Sequence, residues 1–471
     1  MSADFDFLII GGGSAGYAAA RTAAALGLKT GVVDGAEELG GLCILRGCMP
    51  SKTLLESASR FSTLRRAEEF GLRASGLEVR GPEILERKRR LIGEFAAYRQ
   101  EQLQGGKFEL VRGWARFLDA NTIEATLRDG GTRRITAKTF LLATGSVVSE
   151  APLVALKEIG CWSTDDALDS AEVPASVIIL GGGATAVEFA TYYSGLGREV
   201  TLIQRGGQLL KGTDPDLAAA LAHGLRNRGV RVFTGTRLVG AENADGKKRI
   251  IFEHDGKTVI AEASRVLQAL GRSPNTRGLA LDAADIRVEN GRPSTGATQQ
   301  TGQPHIFAAG DVSGPYEIVH IAIQQGELAA RNAARLISGG TEAMEQSDYR
   351  LKLSVVFSDP EIAVVGRGEA ELREAGVAFR AASYPFNDHG KSILMEANYG
   401  YVKVIAEPKR GRILGAEIVG KDAGELIHAF SGPLAMKATV FDLLRAPWYH
   451  PTLAEIVTYP LEELAGTISP P

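Results

Sequence analysis

Only 3 cysteines occur in 471 residues, too few to staple a secreted disulfide scaffold. No apolar run approaches the roughly 18 to 20 residues needed to span a bilayer. The opening MSADFDFLII has no basic segment and no cleavage site, and goes straight into a strand. Charge of one sign is also missing. The 53 Lys+Arg face 56 Asp+Glu, and without a long basic stripe nucleic-acid binding has no electrostatic support. With 18 prolines and no three-residue period the chain is not collagenous, and no Gly/Ser or Gln/Asn tract marks low complexity. The expectation is a cytoplasmic, multidomain α/β protein with no nucleic-acid or membrane partner. At about 150 residues per domain the length predicts about three domains. Its 44% hydrophobic residues can build the cores. What is abundant is glycine, with 56 residues against a usual share of roughly 7%.

Phe7-Leu8-Ile9-Ile10 is a continuous apolar run, as in a parallel strand buried on both faces. It ends in Gly11-Gly12-Gly13-Ser14-Ala15-Gly16, which fits G-x-G-x-x-G, and an Ala-rich helical stretch follows to Leu26-Gly27. A second strand, Thr30 to Val33, closes on Asp34. In a dinucleotide-binding βαβ unit Gly11 makes the tight turn, Gly13 admits a pyrophosphate, and Gly16 permits close helix–strand packing. Asp34 is placed to accept from a ribose diol.

The pattern then returns in constant register. Val177-Ile178-Ile179-Leu180 leads into Gly181-Gly182-Gly183-Ala184-Thr185-Ala186, Leu196-Gly197 stands for Leu26-Gly27, and Leu202-Ile203-Gln204 for Val32-Val33-Asp34. One such fingerprint can be glycines serving only as turns; two in full βαβ context point to two nucleotide sites. The second differs at Gln204, followed by Arg205 and Lys211. An acid there would repel a 2′-phosphate and these cations would attract it, so the second site leans to NADP(H), unless they are solvated loop charges.

Further strand ends carry glycine: Ala143-Thr144-Gly145, Leu270-Gly271-Arg272 and Ala309-Gly310-Asp311. Asp311 could bind a polyol or cap the next helix. From about residue 346 a hairpin is expected, Val402 to Ile405 with Ile413 to Val419, followed by helical segments near 422–438 and 452–465.

Two cysteines sit in Gly40-Gly41-Leu42-Cys43-Ile44-Leu45-Arg46-Gly47-Cys48-Met49-Pro50-Ser51-Lys52. On a regular helix, residues i and i+5 lie roughly 8 to 9 Å apart, and a disulfide needs about 7 Å or less. A bridge therefore requires a distorted turn, which Gly47 and Pro50 suit, and it would be readily reduced. The alternatives are two inert buried thiols or a metal site, for which no companion ligand spacing is seen.

GGLCILRGCMPSK resembles the cysteine signature of the class I FAD-dependent pyridine nucleotide–disulfide oxidoreductases, the family of dihydrolipoamide dehydrogenase and glutathione reductase. The resemblance extends through both fingerprints, Glu188, Gly271-Arg272-Ser273-Pro274-Asn275, Ala309-Gly310-Asp311 and His450-Pro451-Thr452-Leu453-Ala454-Glu455. It implies two Rossmann-like α/β domains plus a C-terminal α+β dimerisation domain. Their expected limits are 1–147 with 272–345 for FAD, 148–271 for NAD(P), and 346–471 for the interface.

By that resemblance FAD lies on Gly11, Gly13, Ser14, Ala15, Gly16, Asp34, Gly41, Leu42, Lys52, Thr144, Gly145, Gly310 and Asp311. The nicotinamide coenzyme lies on Gly181, Gly183, Ala184, Glu188, Gln204, Arg205, Lys211 and Gly271. Cys48 is the flavin-facing thiol, Cys43 the interchange thiol, and Lys52 pairs with Glu188 near the flavin. His450 is the acid/base, oriented by Glu455 and acting in the partner subunit of a homodimer. The implied activity is a dihydrolipoamide dehydrogenase-like disulfide oxidoreductase. The alternatives are a glutathione reductase-like reductase using NADPH, or a flavoprotein subunit that binds a lipoyl-bearing partner. The complete set Cys43, Cys48, His450 and Glu455 argues against an inactive scaffold. Branch markers conflict: His320 matches the lipoamide branch, whereas Gln204, Arg205 and Lys211 match the NADPH users. Leu42, Ala184 and Trp448-Tyr449 depart from the usual residues. No thiol pair stands in the C-terminal tail, which sets aside mercuric and large thioredoxin reductases. A soluble transhydrogenase is disfavoured by the intact cysteine pair. Cys161 is expected to be an inert thiol.

Overall fold

The computed structural model describes residues 3–340 and 343–468. The chain resolves into two compact units, one of residues 1–53, 85–149 and 272–348, the other of 54–84, 150–271 and 349–471.

In the first unit, strands Glu109–Val111, Thr30–Val33, Phe5–Ile10 and Thr132–Leu142 lie side by side, and Ile306–Ala308 pairs with the last of them. All of these pairings are parallel. Phe7, Leu8 and Ile9 are fully buried, as an unbroken apolar run predicts for a strand covered on both faces. The far half of Thr132–Leu142 bends into an antiparallel pairing with Thr122–Leu127, which pairs in turn with Gly113–Asp119. Helices Ser14–Ala25 and Val319–Ser338 cover one face of the sheet.

The two fingerprints are not equally tight. A Cβ on Gly16 would stand 1.8 Å from the Gly11 carbonyl oxygen, so only glycine fits where the helix meets the turn. In the second unit Ala186 occupies that place, fully buried, with its methyl at an ordinary distance from the position a Gly181 Cβ would take. The second helix therefore starts slightly farther from its strand.

That second unit holds a parallel sheet in the order Arg231–Phe233, Glu199–Ile203, Ser176–Leu180, Arg265–Gln268. It also holds an antiparallel meander from 237 to 263 and a five-stranded antiparallel sheet. The expected hairpin is present in the five-stranded sheet as Tyr401–Ala406 against Ile413–Gly420. The 422–438 segment is two short helices, Ala423–Leu426 and His428–Ala435, with Pro433 inside the second. The 452–465 segment opens as a 3₁₀ turn, Leu453–Val457, before helix Thr458–Thr467. Within this unit the buried Lys403 ammonium is held by Asp216 at 2.6 Å and Glu417 at 2.8 Å, as a buried charge requires. Asp216 opens helix Pro215–Asn227, while Lys403 and Glu417 sit on the five-stranded sheet, so the cluster joins the two.

The unequal packing generates a paired prediction. Gly16→Ala should lower stability by at least about 2 kcal/mol through overpacking, and Ala186→Gly by only about 1 kcal/mol. Thermal melts of the flavin-loaded protein check this; equal losses would contradict the packing difference.

Candidate active site

In the first unit the turn after Phe5–Ile10 is built from backbone. Gly11 has φ +104, a conformation that side chains disfavour. Gly12 N–H donates to Asp34 Oδ2 and Ala36 N–H to Asp34 Oδ1, both at 2.8 Å. Each carboxylate oxygen retains a second acceptor site, which suits a ribose diol. Helix Ser14–Ala25 has no acidic residue in its first turn, and no side chain caps it among the described residues. Its first N–H groups and dipole therefore suit a pyrophosphate. Gly41 closes the cradle: a Cβ there would stand 2.7 Å from Gly13 Cα. These features fit a bound dinucleotide.

Beside this turn, Thr144 Oγ1 donates to the Asn275 carbonyl at 2.7 Å, and Asn275 N–H to the Gly145 carbonyl at 2.9 Å. Asp311 caps no helix. Its Oδ2 accepts from Ser146 Oγ at 2.7 Å, and Arg272 Nε donates to the same hydroxyl at 2.8 Å. The helix-cap alternative for Asp311 is thereby closed. Gly310 N–H donates to Gln325 Oε1 at 2.7 Å. Gln325 is almost fully buried and also donates to the Gly314 carbonyl. It shapes the Gly310–Gly314 turn, and no local motif marks it in the sequence.

The thiol pair spans a break in the helix. Cys43 lies in helix Gly41–Leu45, the chain turns at Arg46 (φ −143), and Cys48 starts helix Cys48–Arg65. A Cβ on Gly47 would stand 3.0 Å from the Leu42 carbonyl oxygen, so glycine permits the turn. Pro50 falls in the first turn of the new helix, where its missing N–H costs little. Both cysteines are half-buried. The Cys48 side chain hydrogen-bonded to it, and then burial, push the Cys43 thiol far above its ordinary range, while Lys52 and Arg99 act in the opposite sense. A thiol held protonated in this way is a weak nucleophile until it loses its proton. Lys52 Nζ reaches Ser51 Oγ at 3.4 Å, and the Arg99 guanidinium lies 4.2 Å from the Tyr17 ring centre. Cys161, half-buried, has its thiol pushed up to about 12 by burial, as expected of an inert thiol.

In the second unit Gly181 has φ +126, and Gly183 immediately precedes helix Ala184–Gly195. A cavity of about 270 Å³ opens there, lined by Gly183, Ala184, Gln204, Lys211 and Thr213 on one side and the 354–364 strands on the other. Four of the expected coenzyme residues thus meet in one place. Arg205 is exposed and does not line the cavity, and Gly271 follows strand Arg265–Gln268 with φ +108. Gln204 Nε2 donates to the Gln208 carbonyl at 3.3 Å. Glu188 is buried on the helix, and its Oε1 accepts from Phe357 N–H at 3.2 Å.

The same unit carries the histidine–glutamate pair. His450 Nδ1 lies 3.0 Å from both Glu455 oxygens. The imidazole is 77% exposed and the carboxylate only 11%. Glu455 sits in the 3₁₀ turn Leu453–Val457, which places its side chain back under the histidine. With Nδ1 engaged, Nε2 is the nitrogen that can exchange a proton. A second histidine, His389, lies 3.3 Å from Glu455 Oε1. It belongs to no sequence motif.

Residues 5–326 match the pyridine nucleotide-disulphide oxidoreductase family, and residues 353–460 match its dimerisation domain. The dihydrolipoyl dehydrogenase of Geobacillus stearothermophilus is 33% identical over 461 residues, covering 98% of this chain and 96% of the relative. That of Thermus scotoductus is 36% identical over 464 residues, covering 96% and 95%. Among solved structures, LpdA from Mycobacterium tuberculosis superposes with a TM-score of 0.86 at 28% identity, covering 97% of this chain and 99% of that one. The HOCl-induced flavoprotein disulfide reductase RclA from Escherichia coli shares the fold, with a TM-score of 0.84 at 24% identity, covering 98% and 100%. With its paired nucleotide folds and thiol pair, the chain belongs to the pyridine nucleotide–disulphide oxidoreductases of the dihydrolipoamide dehydrogenase type, FAD- and NAD(P)(H)-dependent enzymes of disulfide redox chemistry.

Proposed function

We propose that electrons pass between a nicotinamide dinucleotide and a substrate disulfide or dithiol through Cys43 and Cys48, with a lipoyl-type disulfide as the substrate class. The observation that carries this reading is the thiol pair brought into hydrogen-bond contact across a helix break. The names of the relatives support the lipoyl-type substrate.

FAD would be held by the Gly11–Gly16 turn, Asp34, Gly41 and Asp311, and when bound it supplies two-electron transfer between coenzyme and thiol pair. In the disulfide-reducing direction, the Cys43 thiol loses its proton to Nε2 of His450 of the partner subunit and attacks one substrate sulfur. A mixed disulfide forms, and the departing thiolate takes a proton from Nε2 of His450 of the partner subunit. Cys48 then gives up its proton and attacks the Cys43 sulfur; the second substrate sulfur leaves as a thiolate that takes up that proton through the same histidine, and the Cys43–Cys48 disulfide closes. Glu455 holds the His450 ring and offsets the charge of its imidazolium.

The working assembly in this reading is a cytoplasmic homodimer with shared active sites. Its domains run 1–147 with 272–345, 148–271, and 346–471. The preferred coenzyme is NADPH, supported by uncharged Gln204 and cationic Lys211 at the cavity.

Three outcomes are expected. Cys43→Ser abolishes disulfide turnover but keeps dye reduction by NAD(P)H; normal disulfide turnover in this variant rules out the interchange role. His450→Ala slows disulfide turnover by at least about 10²-fold, and wild-type rates would remove it from the chemistry. Wild-type kcat/KM for NADPH exceeds that for NADH, and Lys211→Glu narrows the gap. A native preference for NADH would refute the coenzyme assignment. A panel of oxidised lipoamide and oxidised glutathione with both coenzymes tests the substrate class.

A further inference from the structure

Glu455 is shared between two histidines. His450 Nδ1 approaches both of its oxygens from the exposed side, and His389 Nε2 approaches Oε1 at 3.3 Å from within the core. His389 is fully buried and Glu455 nearly so. The other His389 nitrogen, Nδ1, lies 2.8 Å from Ser392 Oγ.

These contacts determine the tautomer. A carboxylate only accepts, so Nε2 of His389 carries the hydrogen. In the neutral ring Nδ1 is then an acceptor, and the Ser392 hydroxyl supplies its hydrogen. Ser392 lies one turn along helix Gly390–Leu394, which His389 opens, so the local fold sets the pairing. The Tyr459 ring packs edge-on to the imidazole at 6.0 Å and is itself stacked on Tyr384 at 4.0 Å. The Tyr384 hydroxyl is turned away to Asp388. Among the described residues, the titratable side chains hydrogen-bonded to Glu455 are thus His450 and His389, with Tyr459 packed on His389 and Tyr384 and Asp388 behind it.

We infer that His389 is a positioning residue for the acid–base step, acting through Glu455 with its tautomer set by Ser392. The inference rests on the proposed role of His450. A buried carboxylate needs hydrogen-bond donors to stay charged. Nε2–H of His389 is one that stays in place while His450 gains and loses its proton. It fixes the carboxylate rotamer and draws electron density from Oε1, so that Glu455 orients His450 without holding its proton too tightly. Without that donor Glu455 becomes more basic, strengthens its bond to the imidazolium, and retards proton release.

The test uses full-length, FAD-loaded enzyme, oxidised lipoamide as substrate, and the pH dependence of kcat/KM. His389→Leu should lower kcat at least about 5-fold and move the histidine midpoint to higher pH by roughly half a unit. His389→Gln, whose amide can present a donor at the Nε2 place, should bring the midpoint back to the wild-type value. Ser392→Ala releases the tautomer and should move the midpoint in the same direction by less. Flavin content and thermal melting report folding, and if the leucine variant does not fold, Ser392→Ala decides. A wild-type midpoint in Ser392→Ala and any folded His389→Leu, with His450→Ala still slow, overturns this inference alone. Equal shifts in the leucine and glutamine variants overturn it too, because a donor would then not matter. Wild-type turnover in His450→Ala, or no lipoamide turnover by the wild type, overturns the underlying reading as well.

Discussion

Residues five apart on one continuous helix cannot be cross-linked, because their backbone atoms stand farther apart than a disulfide spans. The segment from Gly41 to Lys52 is shaped by that constraint. The helix stops after Leu45, the chain turns at Arg46 and Gly47, and a new helix starts at Cys48. The same segment supplies one wall of the nucleotide cradle, where Gly41 meets Gly13 backbone to backbone. A side chain at Gly41 would push the cradle and the thiol pair apart. In the proposed reading, redox chemistry and flavin binding therefore share a single stretch of backbone.

The second constraint is the cost of a buried carboxylate. Glu455 is nearly enclosed, and a charge there persists only with donors around it. The 3₁₀ turn Leu453–Val457 and the edge of helix Gly390–Leu394 supply them through His450 and His389. In the proposed mechanism the His450–Glu455 pair serves the Cys43 thiol, which its neighbour Cys48 and burial push upward.

Features encoded by short-range pattern were readable in the sequence. Phe5–Ile10 and Ser176–Leu180 are apolar runs ending in glycine turns, and both are central parallel strands. The Tyr401–Ala406 hairpin and the break between the cysteines likewise followed from local chemistry. His450 and Glu455 were readable because they are neighbours in the chain. His389 was not, since its partner lies 66 residues away and no spacing announces the contact. Gln325 is similar: it reads as one polar residue on an amphipathic helix, yet its amide completes the Gly310–Gly314 turn. The partner of Asp311 is likewise hidden in the sequence, because Ser146 lies 165 residues away. The extra room at Ala186 depends on how closely helix and strand approach, which composition does not encode.

The most direct test of the central claim is differential alkylation of the FAD-loaded enzyme, read by peptide mapping, before and after anaerobic addition of one equivalent of NAD(P)H. Cys43 and Cys48 are expected to be joined and unlabelled in the oxidised enzyme and both labelled after reduction, with Cys161 unchanged. Equal labelling of Cys43 and Cys48 before and after reduction would contradict the claim.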